Sequence, residues 1–256
     1  MKKNLILGIT LLALNFACSE DRKKINEVEV DATLDSATLN SDKPKIKFFQ
    51  EEKEAAYPDA ILELYSPLGN QVFRPGEVPF EFNIKNYPFG QVGDNSFRLF
   101  IILNGNDPVG FRTPIFQQDL KQGSYRVVAY LVDEDGIALK NFGNYIDRDF
   151  QVGDSRPFPY SAEPYLALNL PTGGQVFEVG EPVVIDFLVL GGDMDLDSLL
   201  VGVELGELSY EVDHMSPIHI ENLSPGDYLL KVRLLRKDGK ELEGPFSSIS
   251  KRILVR

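Results

Sequence analysis

The chain has 256 residues, 43% of them apolar and 25% charged, a composition that supports a buried core and excludes a wholly disordered chain. Lys and Arg number 26 against 39 Asp and Glu, a net charge of −13, and this acidity excludes nonspecific binding to a phosphate backbone, which needs clustered cations. Trp is absent, Cys occurs once and His twice, which excludes disulfide scaffolds, Cys-rich zinc sites and most His-based active sites.

Residues 1–17 read as a signal peptide. Lys2 and Lys3 form a positive start, Leu5 to Leu14 a short apolar run, and Ala17 a small residue at the cleavage point. The apolar run is well short of the roughly 20 residues that span a bilayer. The single cysteine falls where this signal ends. Leu14-Asn15-Phe16-Ala17-Cys18 resembles a bacterial lipobox, although Asn15 and Phe16 are atypical for one. The resemblance implies that Cys18 is acylated, becomes the mature N-terminus and keeps no free thiolate for catalysis. Ser19-Glu20-Asp21 resembles the acidic stretch that routes some lipoproteins to the cell surface, and Ser19 stands where an aspartate would signal inner-membrane retention. The expected location is the bacterial outer membrane, lipid-anchored, with the cell surface as the outer option.

Residues 18–58 hold the lipidated cysteine and a charged stretch without steady period, including Asp21-Arg22-Lys23-Lys24 and Glu51-Glu52-Lys53-Glu54. They are predicted to be a disordered, flexible tether. Lys45-Ile46-Lys47-Phe48-Phe49 is the one piece with the character to dock locally.

An internal repeat occupies the remainder. Gln71-Val72-Phe73 aligns with Gln175-Val176-Phe177, Leu120-Lys121-Gln122-Gly123-Ser124-Tyr125 with Leu223-Ser224-Pro225-Gly226-Asp227-Tyr228, and Asp135-Gly136 with Asp238-Gly239. The offset is 104 residues in the first block and 103 in the other two. Each unit alternates with period two, as in Phe80-Glu81-Phe82-Asn83-Ile84, and turn pairs such as Asn104-Gly105 interrupt the runs. The apolar run Tyr125 to Val132 reads as a strand covered on both faces. The prediction is all-β: two tandem β-sandwiches over 59–153 and 163–256, joined by a stiff Pro-rich linker, 154–162, whose Phe158 and Tyr160 are placed at the interface.

Leu-x-x-Gly-x-Tyr at the head of a long strand resembles the tyrosine corner of immunoglobulin-like and fibronectin type III-like sandwiches. The resemblance covers both repeats and implies that the Tyr125 and Tyr228 hydroxyls bond to backbone a few residues upstream. It departs from antibody-type domains in lacking Cys and Trp there, and it implies little about function.

Chemistry is sparse. No G-x-S-x-G elbow occurs, and His214 and His219 lie in one unit with strand-like neighbours. Asp193, Asp195 and Asp197 occupy positions 1, 3 and 5 of an EF-hand-like loop with Glu204 at position 12, but Ser198 stands where such a loop needs Gly. Calcium is therefore a lesser alternative to an acidic inter-strand turn, and no other cofactor is implied. Tyr87, Phe89, Phe142 and Tyr145 fall in expected loops of the first unit and are the candidate ligand-binding residues. The functional expectation is a non-enzymatic envelope lipoprotein that binds a partner protein or serves as an accessory scaffold subunit, with no nucleic-acid partner. The alternatives are a surface glycan-binding lipoprotein and, third, a hydrolase.

Overall fold

The computed structural model describes residues 45–90, 98–158 and 161–256, together with the backbone strand β1 (Glu27–Glu29). The signal peptide, Cys18 and Tyr160 lie outside the described residues. Every regular element among the described residues is a strand. After β2 (Lys47–Gln50), the first unit contributes β3 (Ile61–Ser66), β4 (Val72–Phe73), β5 (Gly76–Lys85), β6 (Leu99–Leu103), β7 (Val109–Phe111), β8 (Ile115–Leu120), β9 (Gly123–Leu131) and β10 (Tyr145–Val152). The second contributes β11 (Tyr165–Leu170), β12 (Val176–Phe177), β13 (Val183–Leu190), β14 (Leu199–Leu205), β15 (Leu208–Val212), β16 (Ile218–Glu221), β17 (Gly226–Arg236) and β18 (Ser248–Val255).

Both units are immunoglobulin-like sandwiches of the same topology. In the first, β3-β5-β8 faces β4-β10-β9-β6-β7; in the second, β11-β13-β16 faces β12-β18-β17-β14-β15. The short strands β4 and β12 pair parallel to the last strand of their own unit. Period-two alternation sets the inner faces, so that Val127, Ala129 and Leu131 enter the first core and Val183, Ile185, Phe187 and Val189 the second. Both tyrosine corners are present. The Tyr125 hydroxyl donates to the Lys121 carbonyl at 2.9 Å, and that of Tyr228 to the Ser224 carbonyl at 2.7 Å. Gly123 and Gly226 lie against the tyrosine rings, where an added Cβ would sit 3.4 or 3.3 Å from the ring.

The prediction of a flexible tether through residue 58 fails at β2. This strand pairs antiparallel with β16, the edge of the second unit, and β1 pairs with β2 outside it. The short exception in the sequence thus docks, and it passes over the adjacent unit to reach the farther one. Phe48 is fully buried in the second core, stacked on Tyr210 at 5.4 Å. The Gln50 amide donates to the Ser216 and His214 carbonyls, and the Asn222 amide to the Lys45 carbonyl.

Core volume explains why only the second unit takes a strand from the leading segment. In the first, Phe116 on the edge strand β8 stacks on Phe80 at 5.4 Å, Phe82 at 5.9 Å and Phe111 at 3.6 Å. The register places Ile185 opposite Ile218 where the first unit has Phe80 opposite Phe116, and Val212 opposite Val201 where it has Phe111 opposite Leu99. The second unit is thus short of aromatic volume on that side, and Phe48 supplies a ring.

Phe48→Ala is expected to cost about 3–5 kcal/mol, the usual range for emptying a buried phenylalanine site. Faster amide exchange should appear on β13 and β16 while β9 keeps its protection; uniform change, or none, would count against this account. At the corners, Tyr125→Phe and Tyr228→Phe should each cost about 1 kcal/mol in denaturant unfolding, the net worth of one hydrogen bond.

Candidate functional site

The two sandwiches are stacked face on face. The outer surface of β6 and β9 presents Phe100, Ile102, Val128 and Tyr130, and these meet Tyr165, Ala167, Leu188 and Leu190 on the outer surface of β11 and β13. That contact is why β11 and β13 are apolar at nearly every position, broken only by Asn169 and Asp186: both of their faces are covered. Around it, Arg126 pairs with both carboxylate oxygens of Asp149, at 2.6 and 2.7 Å, and lies 4.5 Å over the Tyr165 ring. The Tyr165 hydroxyl donates to Asp147 at 2.8 Å. Phe246 stands 6.2 Å from both Phe158 of the linker and Tyr165, and its own φ of 72° is in the left-handed region. A Cβ on Gly105 would come within 2.9 Å of the Phe246 ring, so this turn glycine also makes room for the second unit. Asp107 extends the tie, accepting from Lys251 at 2.5 Å and from the Gly173 N–H at 3.0 Å.

At the centre is Asp186, fully buried on the outer face of β13. One oxygen accepts from Lys140 Nζ at 2.6 Å; the other accepts from the Ala138 N–H at 2.8 Å and the Asn169 amide at 2.7 Å. Asn169 in turn accepts from the Tyr130 hydroxyl at 2.8 Å and donates to the Gly136 carbonyl at 2.8 Å. Lys140, Ala138 and Tyr130 belong to the first unit, so the carboxylate is satisfied only when the units are docked. Removing one partner from such a group typically costs about 3–5 kcal/mol.

Beside this network, where both units meet residues 51–56, opens a cavity of about 520 Å³. Its lining includes Asp133, Lys140, Leu170, Val184, Met215 and His219. Asp133 accepts from the Asp135 and Ile137 N–H groups at 2.9 Å each, and burial pushes its carboxyl above the ordinary value. His219 stacks on Phe49 at 5.1 Å, and burial lowers its pKa.

The four candidate aromatics do not form one platform. The Tyr87 hydroxyl donates to the Val132 carbonyl at 2.7 Å, burial pushes its pKa up, and its ring packs with Phe89 against the first core. Tyr145 packs into the junction between the units. Phe142 alone of the four is fully exposed, at 101%, beside Tyr57, Ile61 and Asn86 over a shallow depression. A loop position in sequence did not distinguish a ring folded down onto a core from one left in water.

The acidic loop is closed on itself. Asp193 Oδ1 accepts from the Asp195 and Leu196 N–H groups at 3.0 and 2.9 Å, and Asp197 accepts from the Asp193 N–H at 2.8 Å. Ser198 takes the left-handed turn itself, with φ 54°. Glu204 is on β14 and pairs with Arg233. Among the described residues no group of three or more His, Cys, Asp or Glu side chains is arranged to hold a metal ion. His214 shares a hydrogen bond with Asp213 at 3.0 Å, which holds that carboxyl below its usual range, and His219 makes no hydrogen bond to a hydroxyl among the described residues.

No family model matches the chain, and no curated protein matches it. Among solved structures it is similar to the fibronectin(III)-like modules of CbhA from Clostridium thermocellum, at 14% identity, covering 77% of this chain and 94% of that one, with a TM-score of 0.30. It is also similar to a protein from Corynebacterium diphtheriae described as membrane anchored, at 12% identity and a TM-score of 0.25, covering 75% of this chain and 58% of that one. The fold rests on the strand topology, and neither likeness carries an argument about function.

His219 gives the junction a pH dependence. Its folded pKa is lowered, so the unfolded chain binds the proton more readily. Stability is full above the unfolded value of about 6.5 and falls as pH drops through that value toward the folded one. Phe49, Glu51, Lys53 and Glu221 are the groups around it. The urea midpoint of the second unit should therefore fall between neutral and mildly acidic pH, and His219→Phe should fall less; parallel curves would remove His219 as the cause.

Proposed function

We propose that this chain is a non-enzymatic envelope lipoprotein, anchored through an acylated Cys18 in a bacterial outer membrane, that presents its two stacked sandwiches as an accessory scaffold for a partner protein. The observation that carries the reading is a contrast between the repeats. The outer face of β11 and β13 is covered by the first unit, whereas the equivalent face of the first unit, on β3, β5 and β8, stands open with Ile61 39%, Tyr65 55% and Ile115 65% exposed. This face of the fold already serves as a docking surface once in the molecule. The fixed stack and the self-closed acidic loop suit presentation rather than turnover. The glycan alternative lacks support from the dispersed aromatics, and the hydrolase alternative lacks a nucleophile bonded to His219.

Two arms test this. Cys18→Ser should abolish palmitate labelling and release the protein from the membrane fraction. In protein that keeps its melting temperature, Tyr65→Ala with Ile115→Ser should lose a partner that wild type retains in stoichiometric amount from envelope extracts. A Cys18→Ser variant still labelled and bound defeats the anchoring; equal partner retention defeats the surface.

A further inference from the structure

The cavity at the junction has the size of a small-molecule site, about 520 Å³ against the several hundred that such sites occupy. Its walls come from three parts of the chain. Ile137 and Leu139 belong to the first unit, Leu170, Val184 and Met215 to the second, and residues 51–56 of the leading segment close the side. A site assembled this way exists only in the docked molecule, and it is preformed there.

The charges around it are unevenly matched. Lys140 is committed to Asp186 and to the Phe187 carbonyl, both at 2.6 Å. Lys53 donates to Asp135 at 3.1 Å, with Glu51 and Asp133 adding attraction at longer range. His219 is held toward its neutral form by burial. Against these stand Asp133, Glu51 and Glu54, and among the described residues none of the three has a cation within ion-pair distance. Asp133 is the innermost in effect: one of its oxygens caps two N–H groups of its hairpin, and its burial disfavours the charge. A cation placed beside it would relieve that cost. Apolar walls and an under-compensated carboxylate select the same kind of guest.

We propose that the junction cavity binds a small organic cation, a protonated amine on an apolar body, with the ammonium beside Asp133 and Glu51 and the body against Leu170, Val184 and Met215. Neutral and anionic molecules of the same shape are discriminated against, because they leave the carboxylates uncompensated or repel them. The site is independent of the proposed partner surface on β3, β5 and β8, so either can fail without the other.

Three probes of one chain length separate the contributions: hexylammonium, hexanol and hexanoate, titrated into the full chain by calorimetry or amide chemical shifts. Hexylammonium should bind about tenfold tighter than hexanol, a difference of 1.4 kcal/mol, and hexanoate should bind weakest. Asp133→Asn keeps the oxygen that caps the hairpin and removes the charge; it should erase the preference for hexylammonium over hexanol. Ala55→Trp, at an exposed position on the cavity wall, should block all three probes without lowering the melting temperature. Equal affinity for the three, an unchanged preference in Asp133→Asn, unimpaired binding in a folded Ala55→Trp, or no binding of hexylammonium at millimolar concentration would each overturn the proposal.

Discussion

A carboxylate that finds its partners only across a domain boundary governs this molecule. Asp186 is fully buried, and both its lysine and its backbone donor come from the first unit. Separating the units would expose Leu188, Leu190, Val128 and Ile102 and strip Lys140 from Asp186 in the same motion. Hydrophobic area drives the two sheets together without choosing an orientation. The Asp186, Asn169 and Tyr130 chain admits one register, and the Arg126 and Asp107 ties at the periphery agree with it. The stack, the cavity beside it and the course of residues 51–56 all follow from that register.

The repeats share a topology and differ in how they close their cores. The first carries its aromatic volume within its own strands, in the cluster around Phe116. The second has branched aliphatics at the matching register positions and completes itself with Phe48. The second unit is therefore joined to the chain ahead of the first as well as to the linker behind it. Two connections across the junction restrict the relative motion of the units more than a proline-rich linker alone would.

The sequence made the fold class readable because the signals that define a sandwich are local. The Gly-x-Tyr pairs, the period-two runs and the Asn-Gly and Asp-Gly turns each act within a few residues, and the repeat showed each of them twice. The apolar run from Tyr125 to Val132 already implied a strand covered on both faces, whereas the role of Asp186 within Val183 to Leu190 emerged only from the docked units. The docking of Lys47–Gln50 was harder to read, since no local pattern names a partner edge far along the chain. The aromatic candidates misled for a similar reason. Tyr87 is in a loop, but that loop turns inward and its hydroxyl closes on the Val132 carbonyl. The junction cavity had no motif at all, because it is made from three segments that only the docked arrangement brings together.

The position of β2 has a consequence for the order of events during synthesis. Gln50 bonds to Ser216 across a separation of 166 residues, so the strand that seals the second core emerges long before the edge it seals. The first unit, complete in itself, can close as soon as its last strand is made. Lys47 to Gln50 must wait through the whole of that interval without β16, as a strand bearing two phenylalanines, and contacts of such long range form slowly. The lysines on either side of Ile46 are then suited to keeping the waiting segment from pairing with other edges, as charged residues do on exposed strands. The partner edge β16 is thus made only after the whole of the first unit and most of the strands of the second sheet that β2 joins.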